Sequence, residues 1–336
     1  MLSFTGHLLA SLLLGRIASG RDIPTHVGDF YDAVVAQGKC NNALAGGFHS
    51  SDGDRGNFTY CGDHLDDYNI IYIQGRSGSL ANLDVDCDGI QGSDADDGRC
   101  KSSDDTQSIT SFQWIVEEYE TGQKDLDSNI HPYVVFGNTG TKKNWPTFDP
   151  RDYGIKPLSV MAVVCGKKLI YGIWGDENGD DGDEAMVGET SISLATACFG
   201  KEMNGDNGYD PNDVLYIAFP GKDAVPGADG ARWNASDYTT FEKSITALGD
   251  TLITRIGHGS NYGNGSSRGN GTSGGNGTSG GNGTSGGNGT SGGDCSVNSN
   301  TSCEVPPISV GSPRAMMDVQ MLCGLAMVTA LVFMMA

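Results

Sequence analysis

A tract of five six-residue units, residues 264–293, confines the folding of this 336-residue chain to the residues before it. The first unit reads NGSSRG and the next four read NGTSGG, so the tract offers no apolar side chain to a core. Such a segment cannot offset the entropy lost on ordering, and it behaves as a flexible linker. Every unit begins an Asn-x-Ser/Thr acceptor for an N-glycan, and glycans would stiffen the tract into a stalk. The acceptor asparagines are Asn57, Asn234, Asn264, Asn270, Asn276, Asn282, Asn288 and Asn300.

Both ends of the chain have the composition of processing signals. An apolar run at residues 8–14 precedes small residues at 18–20, which is typical of a secretory signal peptide cleaved near Gly20. Residues 319–336 are almost entirely apolar, and small residues at 309–312 precede them. This layout indicates a signal for glycosylphosphatidylinositol attachment. A buried N-terminal helix and an ordinary tail-anchoring helix are the alternatives.

We therefore expect five regions along the chain. They are a signal peptide (1–20), a folded catalytic domain (21–260), a glycosylated disordered stalk (261–294), a short cysteine-containing segment (295–312) and a removed anchor signal (313–336).

The charge of the chain limits its partners. Acidic residues outnumber basic ones by 42 to 21, which gives a net charge of -21. Phosphate binding needs a basic surface, so nucleic acid is excluded, and docking on anionic lipid is equally disfavoured. The membrane is then reached only through the lipid anchor. A cationic partner is favoured: a metal ion, a polyamine or a cationic polymer.

Cysteine usage indicates a disulfide-stapled domain. The six cysteines of region 21–260 form an even set in a chain with a predicted export signal, where disulfides persist. Fifteen pairings are open, and the sequence does not choose among them. The cysteines are Cys40, Cys61, Cys87, Cys100, Cys165 and Cys198.

Hydrophobic patterns predict a β-rich domain with few helices. Short β-branched and aromatic runs bounded by turn residues predict strands, and a Gly-Lys turn joins two of them into a hairpin. Apolar residues three and four apart predict an amphipathic helix over 239–256. Segment 191–199 is ambiguous between helix and strand. The predicted strands are residues 69–74, 133–137, 159–165, 168–174 and 214–220.

A first acidic cluster reads DVDCDG and contains Asp84, Asp86 and Asp88. Alternating carboxylates before a glycine are how a loop wraps oxygens around Ca²⁺. The twelfth position of such a loop would be Ala95 rather than glutamate, and no helices flank it. A calcium site, a solvated acidic loop and the wall of a cleft all stay open.

A second acidic cluster runs from Asp176 to Glu184, and Glu189 follows between a glycine and an apolar-patterned segment. Asp176 ends a predicted strand beside Trp174, whose ring could stack on a sugar. Two carboxylates held apart across a cleft are what glycoside hydrolysis requires, one protonated and the other ionised. We therefore predict Asp176 and Glu189 as a catalytic pair.

Three blocks of sequence carry a resemblance to a known family. The segments YGIWGDENGDDGDEAMVGETSISLATACFG, LANLDVDCDGIQG and NGDNGYDPNDVLYIAFPG resemble those of the fungal chitosanases of glycoside hydrolase family 75. The similarity covers essentially all of residues 21–257. It implies secreted endo-hydrolysis of the β-1,4 bonds of chitosan with inversion at the anomeric carbon. The family's two essential carboxylates fall on Asp176 and Glu189, and no cofactor is implied.

Charge and resemblance together predict the substrate-binding residues. Chitosan is a polyglucosamine whose amines are positively charged at mildly acidic pH, so an acidic groove would attract and retain it. The predicted contacts are Trp174 by stacking and Asp84, Asp86, Asp88, Asp180, Asp181 and Asp183 at amine subsites.

For the fold we expect one compact, β-rich α+β domain with a C-terminal helix, acting as a monomer. Analogy with inverting endo-glycosidases of similar size suggests a six-stranded, double-psi-like β-barrel. Two other functions stay open. One is a calcium-stabilised, non-catalytic cell-wall adhesion protein on a stalk. The other is a hydrolase of another wall glucan, for which the excess acid has no evident use.

The terminal segments generate a prediction about localisation. We expect the mature protein to be exported and held at the cell surface by a lipid anchor. A phosphatidylinositol-specific phospholipase should then release it from membranes of the producing cell. A mature protein that retains the peptide after Asp318 would contradict the anchor.

Overall fold

The computed structural model describes residues 20–101, 103 and 106–257. The predicted signal peptide, apart from its last residue, and the predicted stalk, cysteine-containing segment and anchor signal lie outside these residues. Within the described ranges, no helix combines the length and the apolar character needed to cross a membrane.

Strands outweigh helices in the described part of the chain. The helices are α1 (Thr25–Gln37), α2 (Gln113–Glu118), α3 (Ile192–Phe199), α4 (Gly227–Gly230) and α5 (Tyr238–Ile253), and 3-10 turns cover Pro150–Tyr153 and Lys222–Ala224. The strands are β1 (Ala43–Phe48), β2 (Phe58–Cys61), β3 (Ile71–Gln74), β4 (Ala81–Asp86), β5 (Tyr133–Asn138), β6 (Val160–Cys165), β7 (Lys168–Asn178), β8 (Glu189–Ser191) and β9 (Tyr209–Ala218).

The strands form one sheet whose pairings return on themselves. Their order is β1-β2-β3-β9-β4-β8-β5-β7-β6, and β6 also pairs with β9, which closes a ring of six strands. Two of the six strand pairs in the ring, β4–β8 and β5–β7, are parallel, and the other four are antiparallel. The expected β-rich α+β fold is confirmed, and the double-psi-like barrel stays a prediction.

The local predictions match these elements closely. The five predicted strands correspond to β3, β5, β6, β7 and β9, and the predicted hairpin is the β6–β7 pair. Strand β7 runs on to Asn178, so that Asp176 lies within the strand rather than at its end. The ambiguous segment 191–199 forms α3, whose first turn is capped by the Ser191 hydroxyl accepting from the Leu194 amide.

Helix α5 covers the sheet as its pattern predicts. Phe241, Ile245 and Leu252 are buried along one face of α5. A side chain at Gly249 would clash with the ring of Tyr171 on β7, so only glycine lets the helix lie this close to the strand.

The predicted disulfide staples are present, and the structure gives their pairing. Cys40 is bonded to Cys61, Cys87 to Cys100, and Cys165 to Cys198. The last bond ties the end of β6 to α3, and the middle one closes the acidic loop that follows β4. Residues of this loop line the same cavity as residues of β8, β5 and β7, the strands that carry the candidate site.

Candidate active site

Strand β5 sets the distance between the two predicted catalytic residues. Val135 pairs with Asp176 of β7 on one side and with Glu189 of β8 on the other. Residues in register on adjacent strands project from the same face, and two strand spacings separate these Cα atoms by about 9–10 Å. Asp176, Glu189 and Val135 all line one cavity of about 290 Å³. The structure therefore brings the predicted pair together.

A β-bulge aims Asp176 into this cavity. Val134 pairs with Trp174 and Val135 with Asp176, so β7 has one extra residue, Gly175, at this point. A bulge re-aims the side chains that follow it. A Cβ at position 175 would overlap the side chain of Tyr133, so the bulge requires glycine.

The same bulge makes the prediction for Trp174 wrong. Regular alternation would put Trp174 and Asp176 on one face of β7, but the extra residue between them turns the two side chains to opposite faces. Trp174 is fully buried, its ring packs edge-on against Phe112, and its indole N–H donates to the carbonyl of Asp176. A ring with no exposed surface cannot stack on a sugar.

Asp176 is held firmly through one of its two oxygens. Its Oδ1 accepts from the Ser111 amide at 3.1 Å, from the Glu177 amide at 2.8 Å and from the Ser111 hydroxyl. Its Oδ2 is buried and has no hydrogen-bond partner. The side chain is only 5% exposed, and this burial raises its pKa from 3.8 to about 6 against the opposing effect of the Ser111 hydrogen bond. Asp176 therefore changes charge in the mildly acidic range, where chitosan amines carry charge.

The Glu189 carboxyl is held by Asn178, which lies two residues after Asp176 on β7. The side-chain amide of Asn178 donates to Glu189 Oε2 at 2.8 Å and also to the carbonyl of Met186. Glu189 is half-buried at the start of β8. Asn178 thus fixes the Glu189 carboxyl relative to β7, the strand that carries Asp176.

The predicted amine-binding acids divide into two groups. Asp86, Asp88 and Asp181 line the cavity, whereas Asp84, Asp180 and Asp183 are not among its lining residues. The Asp84 carboxylate accepts from Asn82, and its pKa is raised to about 6, first by burial. Asp180 instead accepts from the backbone amides of residues 141 and 142, so its carboxylate organises a surface loop.

Two groups of metal-ligating side chains come together within the described ranges. The first is Cys40, Cys61 and Asp63, but both cysteines are consumed by a disulfide. The second is Asp86, Asp88 and Asp176, whose carboxylate oxygens lie within 4.8 Å of one another. This set replaces Asp84 of the predicted calcium loop by Asp176. Three carboxylates supply between three and six of the six to eight oxygens that Ca²⁺ takes, so a calcium ion here would need further oxygens from backbone carbonyls or water.

Sequence reasoning missed Ser111 and Asn178. Ser111 belongs to no motif and lies 65 positions from Asp176, so only the tertiary fold reveals it. Asn178 had a usable signal, because it lies two positions after Asp176 and alternate residues of a strand share a face.

The raised pKa of Asp176 has a consequence for stability. The folded state holds this proton more tightly than the unfolded chain, so ionisation of Asp176 opposes folding as pH rises from about 4 to about 6. Asp176→Asn keeps an acceptor for Ser111 and removes the charge. We expect it to raise the free energy of unfolding by about 1–3 kcal/mol at pH 7–8 and to change it little at pH 4.

Denaturant unfolding at both pH values measures this difference. The matched control is Asp229→Asn, which removes a charge from an exposed helical position. An Asp176→Asn protein that is less stable than the wild type at pH 7–8 would contradict burial as the cause of the raised pKa.

Comparison with known proteins now assigns the family. The profile of the fungal chitosanases of glycosyl hydrolase group 75 matches residues 83–255. An endo-chitosanase of Aspergillus oryzae (strain ATCC 42149 / RIB 40) is 45% identical over 256 residues, which are 74% of this chain and 97% of that protein. An endo-chitosanase of Aspergillus fumigatus is 44% identical over 248 residues, 73% of this chain and 95% of the relative. Endo-chitosanase C of Aspergillus oryzae is 32% identical over 183 residues, 54% of this chain and 40% of the relative. The chain therefore belongs to the fungal chitosanases of glycosyl hydrolase group 75.

Proposed function

We propose that this chain is an inverting endo-chitosanase in which Asp176 is the general base and Glu189 the general acid. The observation that carries the proposal is the position of the two carboxyl groups. They flank Val135 in one acidic cavity, on strands two spacings apart. An inverting glycosidase needs about 6.5–9.5 Å between its carboxyl groups, so that a water molecule fits between the base and the sugar.

The surroundings of the two carboxyl groups support this division of roles. Asp176 accepts three hydrogen bonds on Oδ1, which oppose the effect of burial, so its pKa of about 6 leaves the carboxyl ionised above that pH, as a base must be. Oδ2 is then the oxygen that takes the proton from water. Glu189 delivers its proton to the leaving oxygen across the cavity, while Asn178 holds the carboxyl in place.

The substrate follows from charge and from the family. Asp88 and Asp181 line the cavity in a protein of net charge -21, and we propose that they contact amines of the polymer. A cationic chain is drawn to such a groove, whereas neutral chitin or glucan gains far less.

Substrate preference should therefore follow charge. We expect the initial rate of viscosity loss to fall as chitosan of increasing acetylation is supplied, and to fall with added salt because salt screens the attraction. The measurement uses the purified protein on chitosan, chitin and soluble glucan. Equal rates on chitosan and fully acetylated chitin, or faster hydrolysis of glucan, would contradict the proposal that the acidic residues attract and contact the amines of chitosan.

The catalytic pair is tested by near-isosteric substitutions. We expect Asp176→Asn and Glu189→Gln each to lower turnover of chitosan roughly 10²–10⁴-fold, because each removes a proton transfer from the transition state. Glu189→Gln should retain activity on a chitooligosaccharide with a nitrophenyl leaving group, which needs no protonation, and Asp176→Asn should not. The first product seen by proton NMR should be the α anomer.

The matched control is Glu177→Gln, which removes a carboxylate next to Asp176 that forms an ion pair with Arg151 at 3.1 Å. It should retain most of the turnover. A non-catalytic adhesion protein would tolerate the loss of both carboxylates and show no hydrolysis at all. A β anomer formed first would overturn inversion.

A further inference from the structure

One carboxyl oxygen of Asp176, the proposed base, has no hydrogen-bond partner, although neighbouring side chains could supply one. Asp176 Oδ2 is buried without a hydrogen bond, although Oδ1 of the same carboxylate accepts three. A buried acceptor without a donor is unfavourable, so the orphaned oxygen indicates that a neighbouring group supplies a proton to it.

Two other carboxyl groups lie close to the carboxylate of Asp176. Oxygens of Asp86, Asp88 and Asp176 lie within 4.8 Å of one another. Asp86 reaches the cluster from the end of β4, although β8 and β5 separate that strand from β7 in the sheet. The side chains therefore meet across the cavity rather than along the sheet. Oxygens at such a separation are joined by hydrogen bonds through one water, or directly if the side chains approach to about 3 Å.

Three carboxyl groups this close cannot all be ionised at mildly acidic pH. Burial is the largest cause that raises the pKa of Asp86 well above its usual range, and the charges of Asp176, Asp88 and Glu189 raise it further. The pKa of Tyr133 is raised too, first by burial, so its hydroxyl is a neutral group facing Asp86. Asp86 is the member of the cluster that keeps a proton.

In Asp88 and in Asp86, one carboxyl oxygen accepts a hydrogen bond from a backbone amide. Asp88 Oδ1 accepts from the Gln107 amide at 2.6 Å, and the Tyr133 hydroxyl donates to the Asp88 carbonyl at 3.1 Å. Asp86 Oδ1 accepts from the Asp88 amide at 2.7 Å, which fixes the orientation of the Asp86 carboxyl. A proton on the second oxygen of Asp86 is then the donor that Asp176 Oδ2 lacks.

We propose that Asp86 is a positioning residue that donates a hydrogen bond from its protonated carboxyl, directly or through one water, to Asp176 Oδ2. An ionised carboxylate oxygen accepts two hydrogen bonds, so one lone pair of Oδ2 is held by Asp86 and the other stays available to the attacking water. The bond favours the ionised form of Asp176 and aims its basic oxygen. This inference rests on the proposed role of Asp176, and it replaces the predicted role of Asp86 as an amine ligand.

The two roles of Asp86 make opposite demands on its charge. An amine ligand must be ionised, so Asp86→Asn would weaken substrate binding. A neutral donor is retained by Asp86→Asn, because the side-chain amide also donates, and is lost in Asp86→Leu, which has similar size but no polar hydrogen. The pair of variants therefore separates the roles.

The experiment measures kcat and KM of the purified protein on chitosan between pH 3.5 and about 8. We expect Asp86→Asn to keep kcat and KM within about threefold of the wild type. In the pH profile of kcat, the acidic limb should stay at the same pH. Asp86→Leu should lower kcat about tenfold or more with little change in KM. Its acidic limb should move to higher pH, because Asp176 loses a bond that favours ionisation. Asp229→Asn is the charge control.

Three results would overturn the inference. A rise of KM in Asp86→Asn with unchanged kcat would make Asp86 an amine ligand. An acidic limb that moves to lower pH in Asp86→Asn would show that Asp86 is ionised in the active enzyme. Loss of activity in excess chelator, restored by Ca²⁺, would make the cluster a cation site.

Circular dichroism checks that each variant is folded, and Asp86→Asn decides alone if Asp86→Leu does not fold. The proposed function fails separately, if Asp176→Asn or Glu189→Gln keeps substantial activity on chitosan.

Discussion

The register of strand β5 is the constraint on which the candidate site depends. Val135 has Asp176 on one side and Glu189 on the other, so the separation of the two carboxyl groups is set by backbone hydrogen bonds rather than by flexible loops. A slip of one residue would turn a carboxylate toward the apolar core, where its charge would be strongly unfavourable. The bulge at Gly175 completes this arrangement, because it lets β7 bury an indole and expose a carboxylate to the cavity two residues later.

Charge acts on two scales in this protein. The excess of acid over base gives the protein a negative net charge, and we expect this charge to attract a cationic polymer with a strength that falls as salt is added. Within the cavity the same residue type has a different effect, because burial and mutual repulsion make it costly to ionise every carboxyl. The cavity can therefore contain a protonated and an ionised carboxyl at one pH, which is the condition for general acid and base catalysis.

Local patterns predicted much of the fold and the pair of acids. β-branched runs gave the strands, and the spacing of apolar residues gave α5, because these signals lie within a few neighbouring positions. The family resemblance assigned Asp176 and Glu189. The burial of Trp174 could not be predicted, because one extra residue in a strand reverses the alternation on which the prediction depended. The contacts of Asp176 with Ser111 and with Asp86 join segments that are distant in sequence, and the disulfide pairing depends on the same long-range packing.

The most direct test of this account is a crystal structure of Glu189→Gln with a bound glucosamine oligosaccharide. We expect one glycosidic bond to lie between Asp176 and residue 189, with its oxygen beside residue 189. A water between Asp176 Oδ2 and the anomeric carbon, on the face opposite the leaving oxygen, is equally required. An oligosaccharide bound away from this cavity, or an anomeric carbon in direct contact with Asp176 and no room for water, would contradict the proposed site and its mechanism.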